Sequence, residues 1–146
     1  MSYVEYVVFC LGSEEYGIEI SFAQEIMRIP QQITKIPNMP SYIEGMVNLR
    51  GKVIPVIDLK KRFGFEQTER SVDSRLLILD LESSLLGTIV DDVSEVLKID
   101  ERSIEKLASE ISGIGKNSLK GIGKIDKRMI LLLDAMKMKA EVFQNN

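Results

Sequence analysis

The stretch NLRGKVIPVIDL, Asn48 to Leu59, decides how this chain is read. Apolar runs flank Arg50-Gly51, so the segment predicts a β-hairpin, Gly45 to Leu49 against Lys52 to Ile57, with Gly51 supplying permissive backbone at the tip. Asp58 follows at once and is placed to cap a short helix that Gly64 stops. Pro55 cannot donate to a ladder, which predicts an edge strand or a bulge. An edge flanked by Val53, Ile54, Val56 and Ile57 needs a cover, either the helix after Asp58 or a partner protein. The tip would hold the Arg50 guanidinium out on a rigid scaffold, ready for carboxylates or backbone carbonyls. An exposed turn also tolerates Arg, and these residues alone do not choose between the two.

Working outward, the plan occurs twice. Tyr3 to Leu11 and Tyr16 to Ile20 predict a hairpin, Ser21 a cap for a helical turn over Phe22 to Gln24, and Glu25 to Ile29 a further strand. Pro30, Pro37 and Pro40 make 30–42 a loop, with one strand across Ile33 to Ile36. In the second half Arg75 to Leu81 and Leu86 to Val90 predict a hairpin, followed by Glu95 to Ile99. Asp100 to Ile111 reads as helix or loop. Gly121 to Ile125 and Met129 to Leu133 pair across Asp126-Lys127, and Asp134 caps a final helix with Met136, Ala140 and Phe143 on one face. Laid over each other, Tyr16-Gly17…Glu25-Ile26…Ile29 matches Leu86-Gly87…Glu95-Val96…Ile99, and Gly45…Ile54…Asp58 matches Gly121…Ile130…Asp134. This is a diverged internal duplication, predicting two similar small β-units, about 1–69 and 75–146 of one domain spanning 1–146. Glu66 to Ser74 is the expected connector. Each half is too small for a comfortable core of its own, so the two should pack together, with exchange of strands open.

Composition narrows the function classes. The 146 residues are 45% hydrophobic and 28% charged, which suits a globular domain with a real core. Net charge is −3 with both signs interspersed, so there is no nucleic-acid footprint, and the few aromatics weigh against an oligonucleotide-binding barrel. The N-terminus lacks a signal peptide's basic region, and no apolar run approaches the roughly 20 residues that span a bilayer. A soluble cytoplasmic protein without membrane insertion is expected. Cys10 is the single cysteine, set between Phe9 and Leu11, which predicts a buried, inert thiol in a reducing compartment. Histidine is absent, which removes Ser-His-Asp, Cys-His and His-metal chemistry.

Three constellations offer alternatives. The duplication makes Asp58 and Asp134 equivalent, inviting a carboxylate-dependent hydrolase with an acid dyad. Both lack the Asp-Thr/Ser-Gly turn of aspartic proteases, and a cap role for each is favoured. GIGKNSLKGIGK, residues 113–124, has the wrong spacing for a phosphate loop. Asp91-Asp92 with Glu95 lacks the order of a calcium loop, so a solvated turn is expected. No cofactor or metal is predicted.

YGIEI…AQEI…IPNMPSYIEGMVNLRGKVIPVIDLKKRFG resembles the signature of the CheW family of bacterial chemotaxis coupling proteins, whose domain also closes the chemotaxis histidine kinase. GTIVDDVSEVLKI and LKGIGKIDKRMILLLD match the same pattern, and the resemblance runs from Val4 to about Met138. It implies a mainly β fold: two five-stranded SH3-like barrels around a shared core, with short helices and a C-terminal helix. It also implies a non-catalytic adaptor linking the cytoplasmic tip of methyl-accepting chemoreceptors to the CheW-like regulatory domain of the kinase, in arrays under the membrane. Carried over by motif, Arg50 and Gly45 fall on receptor-binding positions, with Ala23 and Glu25 beside them. Ala23 stands where the family more often has Val, leaving less apolar contact. The motif marks no residues for the kinase surface. No receiver or catalytic region accompanies the domain, which implies the free adaptor.

Overall fold

The computed structural model describes residues 2–65, 69–107 and 118–143. In chain order the strands are β1 (Tyr3–Leu11), β2 (Glu14–Glu19), β3 (Ala23–Met27), β4 (Ile43–Leu49), β5 (Lys52–Asp58), β6 (Arg75–Leu81), β7 (Ser84–Val90), β8 (Asp92–Asp100), β9 (Leu119–Ile125) and β10 (Arg128–Leu133). Among the described residues, helices α1 (Leu59–Arg62) and α2 (Ala135–Val142) follow β5 and β10. One five-stranded sheet has the order β8-β1-β2-β10-β9 and the other β3-β6-β7-β5-β4. Each sheet therefore receives a hairpin from the other half of the chain: β1-β2 joins β8, β9 and β10, while β6-β7 joins β3, β4 and β5. The junctions are the parallel pairs β2–β10 and β5–β7; the other pairings are antiparallel.

Three apolar clusters explain why whole strands are apolar rather than alternating. On β1, Tyr6 and Val8 point into a cluster with Ile99, Ile130 and Leu132, while Val7, Phe9 and Leu11 point the other way. On β6, Leu76 and Ile78 join Val47, Ile54, Val56 and Ile89 inside the second sheet. Leu77, Leu79 and Leu81 meet Val7, Phe9 and Leu11 in a shared core between the sheets. A strand buried on both faces has no solvent side for polar residues. Each such Leu or Ile contributes roughly 1.5–3 kcal/mol relative to exposure.

Among the described residues, neither sheet closes through a ladder. The chain after β3 returns to β4 by one bridge, Thr34 with Met46 (2.9 and 2.8 Å), and the chain after β8 returns to β9 by Glu105 with Ile122 (2.9 and 2.7 Å). The close approach requires glycine next to each bridge. A Cβ on Gly45 would lie 2.1 Å from the Thr34 carbonyl oxygen, and one on Gly121 2.7 Å from that of Glu105.

Several local expectations shift. A 3₁₀ turn covers Ile20–Phe22, Ser21 lies inside it, and no side chain caps it, so β3 begins at Ala23. Ile33 to Ile36 supplies the single Thr34 bridge rather than a strand. The apolar face of α2 uses Ala135 and Met138, with Val142 and Phe143 packed beside them, whereas Ala140 is exposed and Met136 lies outside the cluster. Pro55 is not on an edge: β5 lies between β4 and β7, and the register shift falls in β4 between Ile43 and Gly45. The Asp100 segment forms a 3₁₀ turn over Glu101–Ser103. Its residues 108–111 lie outside the described residues, as do 113–117 of the glycine-rich stretch and 66–68 of the connector. Leu119 to Lys124 of that stretch are strand β9.

Candidate functional site

The Arg50-Gly51 turn has positive φ at both central residues, +50° and +86°, the twist that fits a two-residue hairpin. Asn48 Oδ1 accepts from the Gly51 N–H at 3.0 Å and holds the turn. Positive φ is unfavourable for Arg, which has neither the missing Cβ of Gly nor the short polar side chain of Asn or Asp. The equivalent turn between β9 and β10 places Asp126 at φ +54°, a residue suited to that conformation. Backbone geometry therefore does not account for Arg50.

Its guanidinium pairs with Glu25 on β3. That side chain is 66% exposed and its partner 29%. The hydrogen bond from Arg50 to the carboxylate, then the carboxylate's charge, hold the guanidinium proton more firmly than usual. β3 and β4 are opposite edges of one sheet, so the pair spans the mouth of the curved sheet. A cavity of about 190 Å³ opens there, lined by Gln24, Leu49, Arg50, Lys52 and Leu85.

Of the four residues carried over by motif, the fold brings Glu25 and Arg50 into direct contact. Ala23 pairs with Leu79 and packs towards the shared core, because the register shifts between Ala23 and Glu25. Gly45 is buried near the far end of β4, under the Thr34 bridge. Gln24, Lys52, Leu49 and Leu85 were not singled out from sequence. Lys52 carries a local signal, since Arg50-Gly51-Lys52 puts a second cation just past the tip. Leu85 carries none, because it reaches the site from the other half of the chain.

The other candidates resolve differently. Asp58 Oδ1 accepts from the N–H groups of Lys60 (2.9 Å) and Lys61 (3.2 Å), and Asp134 Oδ1 from that of Lys137 (3.0 Å). Each carboxylate is the cap of the helix that follows it. Asp91 is not a freely solvated turn residue: it accepts from the Gly12 N–H at 2.7 Å and pairs with Lys60 Nζ at 3.0 Å. Cys10 is half-buried rather than buried, and burial followed by the charges of Glu15, Asp92 and Asp91 pushes its thiol pKa up, away from the reactive thiolate. No three acidic or thiol groups among the described residues converge on a metal-sized site. No described helix is long and apolar enough to cross a membrane.

Comparison with known proteins matches this architecture. The CheW-like domain model aligns with residues 5–142. The chemotaxis protein CheW of Klebsiella aerogenes is 35% identical over 134 residues, 92% of this chain and 80% of that relative. The chemotaxis protein CheW of Treponema pallidum is 37% identical over 136 residues, covering 90% and 79%. Among solved structures, the scaffolding protein TtCheW of Thermoanaerobacter tengcongensis superposes with a TM-score of 0.83 at 44% identity, over 92% of this chain and 86% of that one. With the matched model spanning both sheets and both capped helices, the chain belongs to the CheW-like domain family.

Proposed function

We propose that this protein is a non-catalytic scaffold of chemotaxis signalling, which couples the cytoplasmic tip of methyl-accepting chemoreceptors to the regulatory domain of the chemotaxis histidine kinase. In this reading it works in the cytoplasm, in arrays recruited to the membrane by the receptors. Family membership supports the adaptor role. The observation that carries the site is Arg50, held at positive φ and 66% exposed at the sheet mouth, where the equivalent turn uses Asp126. A strained residue kept against local preference points to function. Arg50 and Glu25 form the polar rim that sets the register of a bound receptor helix, and Ala23 adds apolar contact towards the shared core. Gly45 acts indirectly, keeping the 30–42 loop tight on β4. Signal transfer then needs no chemistry in the scaffold, only different contact energies with two states of its partners.

The test is binding of a receptor cytoplasmic fragment to the wild type and to Arg50→Glu. The charge reversal places two carboxylates together at the rim, so affinity should fall at least tenfold while the melting temperature changes little. Unchanged affinity with a normal melting curve would overturn the assignment of Arg50.

A further inference from the structure

The two halves also differ in the parallel pairing that joins each sheet. In the first sheet the parallel β2–β10 pairing runs Ile130 with Glu15, Leu131 with Tyr16 and Leu132 with Gly17. In the second, β5–β7 pairing begins only at Val56 with Gly87, the equivalent of Leu132 with Gly17, and continues to Asp58 with Ile89. The paired window has slid two residues away from the hairpin tip. Pro55 stands where the first sheet has Leu131, and without an N–H it cannot extend the ladder towards the tip. β5 and β7 therefore part as a wedge below Val56.

The matched position in the first sheet is closed by side chains. Arg128 donates from Nε to Glu15 Oε2 at 3.0 Å and from Nη2 to Glu15 Oε1 at 2.6 Å, and also reaches Glu95 at 2.7 Å. By the same alignment, Lys52 replaces Arg128 and Leu85 replaces Glu15, so the cation remains and its carboxylate is gone. Lys52 has no ion pair among the described residues. In place of the bidentate pair lies an open cavity of about 530 Å³, lined by Lys52, Val53, Pro55, Ser84, Leu85 and Phe143 among others. Val53 is 62% exposed. Lys52 and Leu85 also line the smaller cavity beside Arg50, so they form the seam between the two.

We propose that this wedge is a second docking site, which takes an extended segment of a partner protein presenting an aliphatic side chain next to a carboxylate. The aliphatic group lies against Val53, Leu85 and Phe143. The carboxylate accepts from Lys52 Nζ, as Glu15 accepts from Arg128 in the other half. The molecule thus carries in its first sheet the template of the contact that its second sheet lacks, and the missing charge is negative.

The experiment is an NMR titration of the ¹⁵N-labelled full chain with the capped tetrapeptide acetyl-Ala-Leu-Glu-Ala-amide and its Leu-Gln counterpart, at millimolar concentration. Shifts should centre on the amides of residues 52–54 and 83–85, with the Gln peptide roughly threefold weaker, as expected for one exposed charge contact. The double variant Lys52→Arg with Leu85→Glu rebuilds the internal pair and should abolish the shifts. If that variant melts early, Lys52→Gln on the exposed rim should reduce binding of the Glu peptide to the level of the Gln peptide. Absence of shifts at the wedge, equal shifts with both peptides, or binding that survives these variants would overturn the proposal. The titration contains neither receptor nor kinase, so its failure leaves the coupling reading standing.

Discussion

Arg50 and Asp58 lie in one twelve-residue stretch and were legible from sequence to different degrees. Asp58 and its counterpart Asp134 were readable because capping is local: the side chain, the turn and the helix N–H groups are neighbours in sequence. Their equivalence made an acid dyad conceivable, and the observed hydrogen bonds assign each to its own helix. Asp58→Ala and Asp134→Ala should each lower stability by about 1 kcal/mol. Asp58, which serves two N–H groups, should show the larger loss in urea unfolding, and no loss in either variant would contradict the cap assignment. Arg50 gave only a position from sequence. Its partner Glu25 sits across the mouth of a folded sheet, and neither that pairing nor the strain at φ +50° has a local signature.

At the scale of elements, the duplication showed which strands exist, while their order followed from contacts the pattern does not encode. β3 begins two residues earlier than the pattern suggests because the turn before it ends at Phe22 and Ala23 is already extended, and Pro55 lies inside a sheet because its missing donor falls just before the pairing with β7. Gly45 and Gly121 are matched devices for closing each sheet through one bridge. Gly45→Ala, with its Cβ driven onto backbone, should cost more than the about 1–3 kcal/mol typical of overpacking, and Gly121→Ala at least that range. Equal melting of wild type and Gly45→Ala would refute the close approach. Glu15 makes the first sheet sensitive to acid. The hydrogen bond from Arg128, opposed by partial burial, holds its pKa below the usual carboxylate value. Its stabilisation is therefore fully present above the unfolded pKa of about 4.3 and is lost as pH falls through the lower folded value. Glu15→Gln should be less stable than wild type at neutral pH, and the two should converge below the folded pKa. A constant gap in melting temperature across that window would contradict the assignment.

For the whole molecule, the exchanged hairpins put both halves of the chain into each sheet, and the shared core joins the sheets. Ion pairs reinforce the join: Lys60 from the first half meets Asp91 from the second at 3.0 Å, and Arg62 of α1 pairs with Glu141 of α2. Composition and the absent histidine narrow the function classes and the motif blocks carry the family, whereas the wedge beside Lys52 has no sequence signature, because it depends on which strands the fold pairs. The most direct test mixes this protein with a receptor cytoplasmic fragment and the kinase regulatory domain, separately and together, and measures the mass of the complexes in solution. The coupling account predicts both binary complexes and a ternary complex containing all three, with Arg50→Glu removing the receptor and leaving the kinase domain bound. Mutually exclusive binding of the two partners, or binding of neither, would contradict it.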